Sequence, residues 1–133
     1  MRVVLDSNVC VSAFVLPGGA ASQLIAALLR GRATPLISRP ILAEVLRVLG
    51  RKFAADREQL ARTALFLSGF AEQVVPREPL HVLSDEPDNR ILECAVAGHA
   101  GWIVTGDRQM LKLGRHDGVQ IVTVRAMHEH LPS

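Results

Sequence analysis

Four of the thirteen acids in this sequence fall where a carboxylate is costly unless it has work to do. Asp6 ends the apolar run Val3-Val4-Leu5, and Asp107 follows Trp102-Ile103-Val104-Thr105-Gly106 in the same way. Short apolar runs of this kind read as strands buried on both faces of a parallel sheet, whose carboxyl ends line the ligand crevice of open α/β folds. The other two acids belong to helices. At about 100° per residue, Glu44 falls on the margin of the apolar arc made by Ile41, Leu42, Val45, Leu46, Val48 and Leu49, and Asp88 falls in the middle of the arc of Ile91, Leu92, Ala95 and Val96. Carboxylates that share one cleft repel, by about 4 kcal/mol per pair at 4 Å and an effective dielectric near 20. Such a cluster calls for a hard divalent cation, magnesium or manganese, which takes oxygen ligands and can lower the pKa of a water beside a phosphate. Without the cation, one or more of the acids should take up a proton near neutral pH.

Each acid also has a plainer reading. Asp6 can simply cap the helix that follows, as Ser7 or Asn8 can. Glu44 can be a boundary glutamate paired with a nearby arginine. Asp88, at a helix start, can answer the helix dipole, although Ser84 and Asp85 are placed to do the capping. Asp85 itself stands either as a cap or as a group that supports the site. Asn89, Arg90 and Glu93 point away from the apolar face of their helix.

The elements that must position these groups alternate along the chain. A first strand is followed by helices over 7–15 and 20–30, separated by the turn residues Leu16-Pro17-Gly18-Gly19. A strand over 34–38 leads into a helix over 40–49, started by Ser38 and Pro40, and 50–53 reads as a connector. A long helix over 56–72 is apolar on more than one face, 74–76 reads as a brief edge strand, and 77–87 as a polar loop. A helix to about 98, a strand over 102–105, a short helix through 113, a strand over 119–124 and a closing helix over 125–131 complete the order. Alternation with buried strands predicts an α/β fold with a mainly parallel sheet covered on both sides.

Composition narrows the classes further. With 133 residues, 49% of them hydrophobic, the chain reads as one domain over 1–133 that buries a core of its own. No apolar run approaches the roughly 18 residues of a membrane span, and no signal-peptide core follows Met1, so a cytoplasmic location with no membrane partner is expected. Cys10 and Cys94 form no C-x-x-C pair and read as small buried hydrophobes. The net charge of +2 hides an asymmetry: with four acids drawn into one site, 15 basic side chains face nine acidic ones elsewhere. That surplus suits a polyanion gripped around an acidic centre, although arginine-rich genomic composition produces the same excess.

Taken together, Leu5-Asp6-Ser7-Asn8-Val9, residues 38–44, Asp85-Glu86-Pro87-Asp88-Asn89 and Ile103-Val104-Thr105-Gly106-Asp107 resemble a PIN domain. The resemblance is nearest to the small prokaryotic VapC-like toxins of toxin–antitoxin pairs, and it spans essentially the whole chain. It implies a three-layer α/β/α fold with a mainly parallel central sheet and a magnesium- or manganese-dependent endoribonuclease that hydrolyses RNA with metal-activated water. By motif, Asp6, Glu44, Asp88 and Asp107 would be the catalytic, metal-binding acids. Thr105 would steady the site near Asp107, and Asn8, Asp85 and Asn89 would support it. The resemblance further implies a homodimer and a protein antitoxin covering the acidic cleft, with the helices over 20–30 and 56–72 available as an interface.

Two other readings use the same acids. A receiver-like phosphoacceptor module also gathers acids and magnesium at strand ends, but it wants a lysine after the last strand, where this chain has Arg125. An inactive PIN-like scaffold would bind RNA or protein without cutting. Glycine-rich dinucleotide or phosphate-loop signatures and a Gly-x-Ser-x-Gly elbow do not occur. His128 and His130, flanking Glu129, read as a solvated helix end or a tag-like tail rather than a metal pair.

Overall fold

The structure is a computed structural model and describes residues 1–132. Among the described residues its centre is a six-stranded sheet in the order β3 (Glu72–Gln73), β2 (Thr34–Ile37), β1 (Arg2–Leu5), β4 (Trp102–Val104), β6 (Val119–Val122), β5 (Arg115–His116). Strand β1 (Arg2–Leu5) lies between β2 (Thr34–Ile37) and β4 (Trp102–Val104), parallel to both, with Val4 opposite Leu36 on one side and Ile103 on the other. Val3 and Val4 are fully buried, as a strand covered on both faces requires. β6 (Val119–Val122) continues the parallel sheet beyond β4, while β3 (Glu72–Gln73) forms the opposite edge. The chain runs from β1 to β2 on one side and reaches β4 on the other. β1 is therefore a topological switch point, and the crevice at its carboxyl end is the expected place for a ligand.

Among the described residues seven helices complete a three-layer α/β/α arrangement. α1 (Ser7–Val15) and α2 (Ala20–Leu29) pack on each other, and α3 (Arg39–Phe53) packs against α1, α4 (Arg57–Phe70) and α5 (Glu86–Ala97). α5 also lies along β1, β2 and β4, which buries Ile91, Leu92 and Ala95 under the sheet. α6 (Arg108–Leu113) follows β4, and α7 (Val124–His130), capped by Thr123, docks on α2. His130 of α7 lies 4.6 Å from the Trp102 ring, so this terminal histidine packs on the body of the fold instead of forming a free tail. Among the described residues no single helix is long and apolar enough to cross a membrane; α1 and α2 meet that test only together, across a 101° bend.

The structure departs from the sequence expectations at four elements. Residues 50–53 are not a connector: α3 runs through them and stops at Ala54, which adopts a left-handed φ of 53°. Gly50 is simply tolerated inside the helix, and the real boundary is the capping box of Asp56 and Gln59 that starts α4. The edge strand falls on Glu72–Gln73, two residues before the expected 74–76, although Val74 still donates its N–H to the Ile37 carbonyl. α4 buries Leu67 fully but leaves Leu65 76% exposed, so its apolar breadth is only partly core. An additional strand, β5 (Arg115–His116), pairs antiparallel with β6 around Asp117 and Gly118, whose φ values of 49° and 81° suit a tight hairpin turn. The Asp-Gly pair is the sequence signal that marks it.

Candidate functional site

Asp6 and Asp107 emerge from adjacent strands. The Asp6 N–H donates to the Val104 carbonyl at 2.9 Å, which locks the end of β1 to the end of β4. The Asp6 carboxylate is buried. Its Oδ2 accepts from the Thr105 hydroxyl at 2.5 Å, and its Oδ1 accepts from the Ser7 hydroxyl and the Asn8 backbone N–H, each at 3.3 Å. Asp6 thus caps α1 while its other oxygen stays bound to Thr105, so capping does not use up the carboxylate. Asn8 contributes its backbone, while its side chain stands at an exposed position. Ser7, seen from sequence only as a possible cap, is buried and holds the carboxylate from the other side.

Thr105 joins the two strand-end acids. Fully buried, it gives its hydroxyl proton to Asp6 and accepts the Asp107 N–H at 2.9 Å. Asp107 then caps α6, its Oδ1 accepting from the Met110 N–H at 3.0 Å.

Asp88 comes from the first turn of α5 and is 6% exposed. One of its oxygens, Oδ2, is buried without a hydrogen-bond partner among the described residues. Its carboxyl is pushed up to about 7, chiefly by burial and then by the negative charges of Asp107, Asp6 and Asp85. Asp6 is also raised, mainly by burial, with the hydrogen bonds from Thr105, Asn8 and Ser7 pulling the other way and Asp107 adding repulsion. The three aspartates therefore feel one another across the crevice. Asp85 is exposed at the head of α5, where its backbone carbonyl accepts from the Asp88 N–H; contrary to expectation its side chain makes no capping hydrogen bond.

Glu44 stands apart from this group. Its side chain is 23% exposed, and both carboxylate oxygens meet the Arg47 guanidinium, at 3.0 and 2.6 Å. It lines a cleft of about 200 Å³ with Ser7, Pro40, Ile41, Pro87 and Arg90. The boundary-glutamate reading describes its present contacts, and the cleft brings it to Ser7 and Pro87, the chain neighbours of Asp6 and Asp88.

Asn89 and Glu93 are corrections. Both were expected to point away from the buried face, yet Asn89 is fully buried and Glu93 nearly so. The Asn89 amide accepts from the Val82 and Leu83 N–H groups at 3.1 and 2.9 Å and donates to the Leu83 carbonyl at 2.8 Å. Glu93 accepts from the Leu80 N–H and from Arg90. The loop before α5 folds back over this flank of the helix, which helical phase alone does not reveal. Asn89 fastens that loop next to Asp88 in the chain.

Among the described residues no three acid, histidine or cysteine side chains stand in a metal-ligating arrangement. The donor chemistry nevertheless suits a hard cation: the groups are carboxylates, they repel, and Asp88 keeps an orphaned buried oxygen. Cys10 and Cys94 are buried thiols, both pushed up to about 12, and take no part.

Comparison with known proteins agrees with this architecture. The family profile of the PIN domain matches residues 2–109. The uncharacterized protein MJ1680 of Methanocaldococcus jannaschii is 24% identical over 137 aligned positions, covering 100% of this chain and 86% of the relative. Two solved structures share the fold. VapBC2 of Rickettsia felis, bound to a DNA fragment from its promoter, superposes with a TM-score of 0.66 at 20% identity over 92% of this chain and 98% of that one. VapBC-1 of nontypeable Haemophilus influenzae superposes with a TM-score of 0.64 at 16% identity over 94% and 99%. With the profile spanning most of the sequence and including Asp6, Glu44, Asp88 and Asp107, the chain belongs to the PIN domain family.

Proposed function

We propose that this protein is a magnesium- or manganese-dependent endoribonuclease. The observation that carries the proposal is the unpartnered, buried oxygen of Asp88 facing the charges of Asp107 and Asp6, with its carboxyl raised to about 7. Such a group is unfavourable as a bare carboxylate and well suited to a divalent cation. Membership of the PIN family supports nuclease chemistry. Asp6, Asp88 and Asp107 would hold the ion, with Glu44 available from α3 along the adjoining cleft. A bound ion would supply a lowered water pKa and neutralise charge on a scissile phosphate. The chain's own residues do the positioning. Thr105 and Ser7 hold Asp6 in one rotamer, the β1–β4 backbone link fixes its distance from Asp107, and the start of α5 brings in Asp88. Arginines, 13 of the 15 basic residues, suit the phosphates of an RNA strand.

The VapBC structures are toxin–antitoxin assemblies, which supports a protein antitoxin as partner here. A homodimer is the accompanying expectation, supported by the exposed Leu29 on α2 and by Leu65 and Phe66 on α4.

The test is cleavage of end-labelled single-stranded RNA with Mg²⁺ or Mn²⁺ and with excess chelator. The proposal expects internal cuts with either ion and none in chelator; cleavage that persists in chelator overturns it. A second reading, a PIN-like module that binds without cutting, draws support from the pairing of Glu44 with Arg47. It predicts that RNA is retained and stays intact with Mg²⁺, with Mn²⁺ and in chelator alike.

A further inference from the structure

We propose that Arg47 is an internal latch on Glu44, so that a cation entering the aspartate cluster draws in Glu44 only by displacing it from Arg47. The inference rests on the metal-site reading above and adds a regulation of that site. Glu44 and Arg47 are three residues apart on α3, on adjoining positions of one helical face. Their contact is a two-pronged one, with Nε on Oε2 at 3.0 Å and a terminal nitrogen on Oε1 at 2.6 Å, the geometry in which a guanidinium best neutralises a carboxylate. Location separates this pair from an ordinary surface ion pair. Glu44 lines the small cleft shared with Ser7, and the Ser7 hydroxyl touches the Asp6 carboxylate.

Two arrangements of α3 follow. In the one observed, Glu44 is spent on Arg47 and the negative charge of the cluster comes from the aspartates. In the other, Glu44 turns along the cleft toward Ser7 and Pro87, the neighbours of Asp6 and Asp88, and Arg47 is set free. The first suits an empty cluster, because a fourth carboxylate would add repulsion. The second suits a filled one. The ion's apparent affinity therefore includes the cost of opening the latch, as for any ligand that selects the less populated state.

The experiment is a Mn²⁺ titration, read by electron paramagnetic resonance of the free ion, on the wild type, Arg47→Ala, Glu44→Gln and the double variant, with RNA absent. Both positions are solvent-facing enough for the fold to be retained, which thermal unfolding verifies. Arg47→Ala is expected to tighten Mn²⁺ binding about two- to fivefold, the effect of releasing a partly exposed ion pair. Glu44→Gln should weaken binding, and adding Arg47→Ala to it should change nothing. Arg47→Lys, which keeps the charge but loses the fork, should fall between wild type and Arg47→Ala. Unchanged affinity in Arg47→Ala overturns the latch, as does equal tightening in the Glu44→Gln background, which would mark a general charge effect. Those results leave the metal site standing, whereas failure of the wild type and every variant to bind Mn²⁺ sinks both the latch and the site.

Discussion

Asp88 places a titrating group in the physiological range. An acid raised to about 7 in the folded state keeps its proton where the unfolded chain, with an ordinary value near 4, has lost it. Between about pH 4 and 7 the native state thus binds more protons than the unfolded state, and this group's contribution to stability falls as pH rises. Urea unfolding at pH 5 and pH 8 in chelator should show Asp88→Asn losing much of that decline and exceeding the wild type at pH 8; identical pH slopes would contradict the account. Thr105 gives a second prediction. Thr105→Val keeps the shape but strips the donor from a buried carboxylate oxygen and the acceptor from the Asp107 N–H, so it should cost about 1–3 kcal/mol in the same measurement. These residues were largely legible in the sequence, because Asp6 and Asp107 end apolar runs and helical phase turns Asp88 inward. The hold of Ser7 on the Asp6 carboxylate was not, and for Glu44 the sequence offered an arginine partner without naming which one. A hydroxyl next to an aspartate and an arginine one turn along a helix are common patterns, and only coordinates show which way the side chains turn.

The element most exposed to test is the loop before α5. Asn89 holds it with three hydrogen bonds to Val82 and Leu83, and Glu93 adds one to Leu80. Asn89→Ala should cost about 1–3 kcal/mol and speed amide hydrogen exchange at Val82 and Leu83, with β1 amides unchanged. Exchange faster by the same factor throughout the chain would mean global destabilisation instead of a local fastening. The parallel strands and most helices were legible from periodicity and caps. The extension of α3 through Gly50 was hidden because a glycine inside a helix looks like a stop, and the true stop is a left-handed alanine. The Glu72–Gln73 strand was hidden because a two-residue polar edge has no hydrophobic signature. The burial of Asn89 and Glu93 depends on a loop that covers them, a tertiary fact no helical wheel contains.

At the scale of the molecule, the sheet order explains why acids from three separate segments come within electrostatic reach of one another. β1 and β4 are neighbours across the switch point, so Asp6 and Asp107 share its crevice, and α5, lying along both strands, delivers Asp88 to it. The central claim is that this crevice, rather than any other part of the surface, cuts RNA with the help of a divalent cation. Asp6→Asn tests it most directly, measured as the rate of end-labelled RNA cleavage in Mn²⁺ alongside thermal unfolding of the same preparation. The account predicts a cooperative transition near that of the wild type and a cleavage rate lower by at least ~100-fold, as expected when a ligand and its hydrogen-bonded shell are disturbed. A folded Asp6→Asn protein that cleaves at the wild-type rate would contradict it.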